Sequence, residues 1–115
     1  MIFAAETEEC ELYVFPDAET AACHCEGLAV EATIWRFWDD AGKPLRPEFT
    51  IPNQRGLFTN KNGLYHLVPS ESKACGLLQE ALEHIRVVVG EAPYTSVGAV
   101  RQYLNRPVPG LAALG

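Results

Sequence analysis

At 115 residues, with 48% apolar and 21% charged side chains, the chain is long enough to bury one hydrophobic core and too ordinary in composition for disorder or a fibrous repeat. No apolar run approaches the roughly 18 residues that span a bilayer, and the opening MIFAAETEEC turns acidic without a basic stretch, so neither a membrane segment nor a secretory signal is expected. The expectation is one cytosolic α+β domain over residues 1–106, followed by a frayed Pro- and Gly-containing tail at 107–115.

The net charge of −6 is unevenly spread. Residues 1–35 hold Glu6, Glu8, Glu9, Glu11, Asp17, Glu19, Glu26 and Glu31 and no Lys or Arg, whereas the rest of the chain is slightly basic. Phosphate binding needs cationic side chains, so nucleic acid is not an expected partner of this third; a basic protein surface is, through electrostatic steering. An acidic face that serves only solubility fits the same charges.

In chain order, residues 9–15, ECELYVF, read as a strand that Pro16 ends, with residues 2–5 extending it or forming a separate piece. Asp17 sits where an N-cap belongs, and DAETAACHCEG reads as a short helix stopped by Gly27. From Leu28 to Trp38 the period is two, which predicts one long strand with Trp35 and Phe37 on one face and Trp38 on the other, covering a sheet edge or a helix end. Asp39-Asp40-Ala41-Gly42 has the chemistry of a hairpin loop, and Lys43 to Phe49 is the returning strand, placed at a sheet edge by Pro44 and Pro47.

Residues 52–63 read as loop, with Asn62-Gly63 a tight turn between a second pair of strands, Gly56 to Thr59 and Leu64 to Val68. Ala74, Leu77, Leu78, Ala81, Leu82, Ile85, Val88 and Val89 recur at helical spacing, predicting one long amphipathic helix through ESKACGLLQEALEHIRVVVG that ends at Gly90. A last short helix covers Ser96 to Leu104. The fold class expected is an antiparallel sheet of about four or five strands packed against that long helix and one or two short ones.

No catalytic spacing is found: there is no G-x-S-x-G, P-loop, dinucleotide fingerprint, EF-hand loop or His pair at i, i+4. Cys10, Cys23, Cys25 and Cys75 are expected to be free thiols in a reducing cytosol. Cys23-His24-Cys25 offers ligand atoms without the pairwise spacing of a structural zinc site, so no metal and no cofactor are expected. Asp39-Asp40 is followed by two basic groups rather than further carboxylates, and turn chemistry accounts for it better than metal binding.

A strand ending LYVF, a helix opening DAET, the segment CEGLAVEATIWRFWDDAGKPLRPEF and a further turn NGLYHLVPS follow one another here. Within them a Glu-x-x-x-Val-Glu element, Glu26 to Glu31, leads into an aromatic strand and an Asp-x-x-Gly-Lys-x-Leu turn, Asp39 to Leu45. From Glu11 to about Leu82 this order resembles the small acidic immunity proteins of bacterial polymorphic-toxin and contact-dependent growth inhibition systems; the cysteine cluster lies outside the shared pattern. The resemblance implies a non-catalytic cytosolic protein that binds the C-terminal domain of a cognate toxin, a basic nuclease, and blocks it. The expected contact residues are Glu26, Glu31, Asp39, Asp40 and Glu48, with Trp38 as an aromatic anchor. The expected state is a monomer or weak homodimer, with no membrane and no nucleic acid as partner. The residues leave open a plain binding or oligomerisation module, and a small enzyme whose His24, His66, Cys23, Cys25 and Asp39-Asp40 are assembled only by the fold.

Overall fold

Ile2, Phe3, Ala4 and Ala5 form an unbroken apolar run, which suits a strand buried on both faces. In the computed structural model, which describes residues 1–57, 60–71 and 76–106, this run is the central strand β1 (Ile2–Glu6). It pairs antiparallel with β2 (Glu11–Phe15) on one side and β3 (Trp35–Trp38) on the other. The sheet has six strands in the order β7-β4-β3-β1-β2-β8, with β4 at Pro44–Ile51, β7 at Leu64–Pro69 and β8 at Val87–Val89. All pairs are antiparallel except β2 with β8. A separate two-stranded ladder joins β5 (Gln54–Arg55) to β6 (Asn60–Lys61).

Side-chain alternation divides the core into two layers. On one face Ile2, Ala4, Phe15, Phe37 and Tyr65 pack with Ala21 and Cys25 of α1 (Ala18–His24) and its cap, and with Val30 of α2 (Gly27–Glu31). On the other, Phe3, Ala5, Leu12 and Trp38 pack with Leu78 of α3 (Leu78–Ala81), Leu82 of the following 3₁₀ turn, and Val100 of α4 (Val97–Leu104). Trp35 and Phe37 thus share a layer and Trp38 lies in the opposite one, as the alternation predicts. No helix among the described residues is long and apolar enough to cross a membrane.

Elements specified by their own caps form where expected. Asp17 caps α1 by accepting the Thr20 amide at 2.7 Å, and Ser96 caps α4 by accepting the Ala99 amide at 3.1 Å. Other expectations need correction. The long helix through residues 71–90 is replaced by α3, the 3₁₀ turn Leu82–His84 and β8. Leu78, Ala81, Leu82 and Ile85 still face the core together, but the β-branched triplet Val87–Val89 pairs with Glu11–Tyr13. The expected frame of four or five antiparallel strands therefore becomes a six-stranded mixed sheet with helices on both faces. The part of that expected helix at residues 72–75, Cys75 included, and the tail at 107–115 lie outside the described residues.

The long strand from Leu28 to Trp38 is also two elements. Residues 27–31 are helical, and Thr33 at φ +59° reverses the chain before β3. Gly27 does not stop α1; it opens α2, where an added Cβ would lie 2.5 Å from Asn53 Oδ1. β4 is flanked by β3 and β7 rather than lying at the edge, although β3 covers only Pro44 and Leu45. Among the described residues, the pairing expected between residues 56–59 and 64–68 is not seen: β7 pairs with β4, and β5 with β6. Residues 58 and 59 lie outside the described residues. Gly63 sits where its missing Cβ would come within 2.0 Å of the Ile51 carbonyl oxygen, so close backbone approach accounts for glycine at this position.

Candidate functional site

The turn after β3 is built by Asp39. Its Oδ1 accepts the amides of Ala41 and Lys43, each at 2.9 Å, its own amide donates to the Lys43 carbonyl, and Gly42 takes φ +80°. The hairpin tip is packed rather than free, because Gly42 is buried against Leu78 and Leu104 and its carbonyl accepts the Leu78 amide at 2.9 Å.

Asp40 points the other way and is held by its own chain. It accepts the Tyr103 hydroxyl through Oδ1 and the Arg106 guanidinium through Oδ2 at 2.7 Å, while the Arg106 guanidinium carbon lies 3.7 Å from the centre of the Tyr103 ring. Burial and the hydrogen bond to the Asp40 carboxylate push the Tyr103 phenol up to about 12. This clasp ties the β3–β4 turn to the end of α4.

Trp38 is 2% exposed, and its indole N–H donates to the Gly76 carbonyl at 2.9 Å. The residue expected to be an aromatic anchor is thus packed in the core in this conformation. Glu31 accepts Asn53 Nδ2 at 2.5 Å and pairs with Arg55 at 3.7 Å; Glu48 pairs with Arg46 at 3.6 Å and with His66 at 3.7 Å. Glu26 is exposed at the start of α2 and makes no side-chain capping bond. The expected contact residues are therefore dispersed over the turn, α2 and β4, and most of their polar atoms have partners within the chain.

The Cys23-His24-Cys25 triplet separates as helical residues do. Cys23 is exposed, whereas Cys25 is buried beneath α1 and its thiol is pushed up to about 12 by that burial. The Cys25 carbonyl accepts the buried Tyr65 hydroxyl at 2.6 Å. His24 stands on an aromatic cluster, its ring centre 5.0 Å from Tyr13, 5.3 Å from Phe15 and 5.7 Å from Trp35. Among the described residues no three His, Cys, Asp or Glu side chains converge.

Among the concave surfaces of the described residues two are large enough for a small ligand, and sequence reasoning missed both. A groove of about 670 Å³ lies where β2 runs past the end of β8, lined by Tyr13, Phe15, Pro16, His24, Val89 and Tyr94, with Glu91 on its wall. Beside it, β8 forms the edge of the sheet with Val87 53% and Val89 42% exposed. A notch of about 580 Å³ opens between β3 and β4, lined by Trp35, Arg36, Leu45, Arg46 and Pro47. Neither could be read locally, because the groove needs β8 to be a strand and the notch needs the register of β3 on β4. The chain matches no protein-family model, no curated protein and no solved structure.

Proposed function

We propose that this chain is a non-catalytic, cytosolic inhibitor that binds and neutralises a cognate toxin domain, of the basic nuclease class, in a one-to-one complex. The observation that carries the reading is where the acidic third spends its charge. Glu6 accepts the turn amides of Glu8 and Glu9, Glu11 accepts the Tyr13 hydroxyl, Asp17 caps α1 and Glu31 holds Asn53 and Arg55. Glu8, Glu9, Glu19 and Glu26 are exposed, and their carboxylates make no ion pair among the described residues. Exposed, unneutralised carboxylates attract a cationic partner at long range, and the aromatic-lined groove offers the desolvated contact that affinity needs.

The contact set this supports, instead of Asp39, Asp40 and Trp38, is the groove with Tyr13 and Tyr94, and Glu8, Glu9, Glu19 and Glu26 act as steering charges away from it. The test is to look for a large secreted protein with a variable C-terminal domain in the gene immediately upstream and to co-express that domain with this chain. Growth restored by this chain, and lost when Tyr13 and Tyr94 are both changed to Ser, is expected; equal killing with and without the chain sinks the proposal.

A second reading, an oligomerisation module, is favoured by the exposed valines of the edge strand β8. Light scattering across a concentration series separates the two. A dimer abolished by charged residues at positions 87 and 89 supports self-association, and a monomer throughout removes it.

A further inference from the structure

β3 and β4 leave their turn in register, Trp38 opposite Pro44 and Phe37 opposite Leu45. One step further the same register would set Arg36 opposite Arg46, and the next would set Trp35 opposite Pro47. The ladder stops at this point, for two physical reasons. Like charges directly opposite each other on one face disfavour pairing, and proline has no amide to donate. Each strand is instead held from its far side: Arg36 and Trp35 pair with Ala5 and Glu6 of β1, and Arg46 and Pro47 with Val68 and Leu67 of β7. The separation is therefore built into the sheet, with a fixed strand on either flank of the notch.

Alternation assigns the two guanidiniums to one side of this gap, the side of Trp38, and Trp35, Phe37, Leu45 and Pro47 to the other. Arg36 makes no ion pair with any described residue, and its guanidinium carbon lies 5.9 Å from the Trp38 ring centre. Arg46 shares a half-exposed pair with Glu48 at 3.6 Å, a contact that an incoming anion can displace. All six side chains line the one notch that opens between the strands, as does Glu31, whose carboxylate is engaged by Arg55. An oxyanion on the guanidinium side can therefore carry a flat apolar body into the gap toward the apolar side chains of the other face.

We propose that the β3–β4 notch is a binding site for a small organic oxyanion, a carboxylate or phosphate on a flat apolar body. Arg36 and Arg46 hold the anion on their side of the sheet, and the body enters the gap between the strands toward Trp35, Leu45 and Pro47. An anion between the guanidiniums also offsets the repulsion between them. The site is independent of the proposed toxin contact, since it uses the basic part of the chain.

The test is a titration of the full chain with phenyl phosphate, benzoate and inorganic phosphate, followed by the amide and indole N–H resonances. Saturable shifts confined to Trp35, Arg36, Leu45 and Arg46 are expected with the two aryl anions. Affinity is expected to fall about tenfold or more in R36Q and in R46Q, the worth of one charge-assisted hydrogen bond. E48Q should bind more tightly than the parent, because it frees Arg46. Both arginines are exposed, so the variants should keep the parent spectrum elsewhere; if R36Q loses it, R46Q and E48Q carry the test alone. Shifts that do not saturate, or that persist unchanged in R46Q, overturn the site. Inorganic phosphate binding as tightly as phenyl phosphate overturns the role of the apolar wall.

Discussion

The Thr20 amide, donated to the Asp17 carboxylate at 2.7 Å, holds that carboxyl below its ordinary value. The folded state therefore binds this proton less readily than the unfolded chain. Its contribution to stability is present above the unfolded carboxylate range and is lost as pH falls through the lower folded value. Denaturant melts of the parent and D17A should differ at neutral pH and converge on strong acidification. Tyr103 works in the opposite sense. Burial and its bond to Asp40 raise the phenol to about 12, so the folded state keeps the proton and its contribution is lost as pH rises from about 10, the unfolded phenol value, through about 12. Y103F should lose about 1 kcal/mol at neutral pH, from the hydroxyl's hydrogen bond, and should show a shallower decline in stability over that alkaline range. An unchanged alkaline limb would show that folding does not raise the Tyr103 phenol.

At the scale of elements, α2 ends in a Schellman arrangement whose left-handed position is filled by threonine. Thr33 donates its amide to the Val30 carbonyl, Ile34 donates to the Ala29 carbonyl, and Thr33 takes φ +59°, a conformation that costs a β-branched residue about 1–2 kcal/mol. T33G should raise stability by roughly 0.5–1 kcal/mol after its own loss of unfolded-state entropy, measured by chemical denaturation. No change or a loss would mean that the Thr33 hydroxyl, which donates to the Ala32 carbonyl at 2.7 Å, offsets the backbone strain. The same residue explains why α2 was illegible: helix ends are read from glycine, and here the stop signal is absent. Asp17, Ser96 and the Asp39–Gly42 turn were legible because each is specified within a few residues of itself. β8 was not, because Val87–Val89 continue a helical stripe and become a strand only on meeting Glu11–Tyr13. The same holds for the candidate site, since no local pattern tells that Asp40 will be claimed by Arg106 or that Arg36 and Arg46 will line one notch.

Taken whole, the molecule is elongated, 59 Å by 28 Å by 25 Å, and its charge is separated along the chain. β1, β2, α1 and α2 carry carboxylates without a cation, whereas residues 43–69 set Lys43, Arg46, Arg55 and Lys61 against the single carboxylate Glu48. Such a separation orients an approaching charged protein before contact, and over exposed groups its reach is about 8 Å at physiological salt. Glu8, Glu9, Glu19 and Glu26 are exposed and outside the core, so changing all of them to Lys should leave stability within about 0.5 kcal/mol for each residue. Their effect should fall on association. With a basic toxin domain as partner, stopped-flow mixing should show the on-rate of the parent dropping steeply with added salt, and the on-rate of the reversed variant lowered at least about tenfold at low salt. The off-rate should change much less, because on the proposed reading these carboxylates act at a distance and the groove makes the contact. An on-rate indifferent to both salt and charge reversal would leave the acidic third a solubilising face and move the basis of recognition to the groove alone.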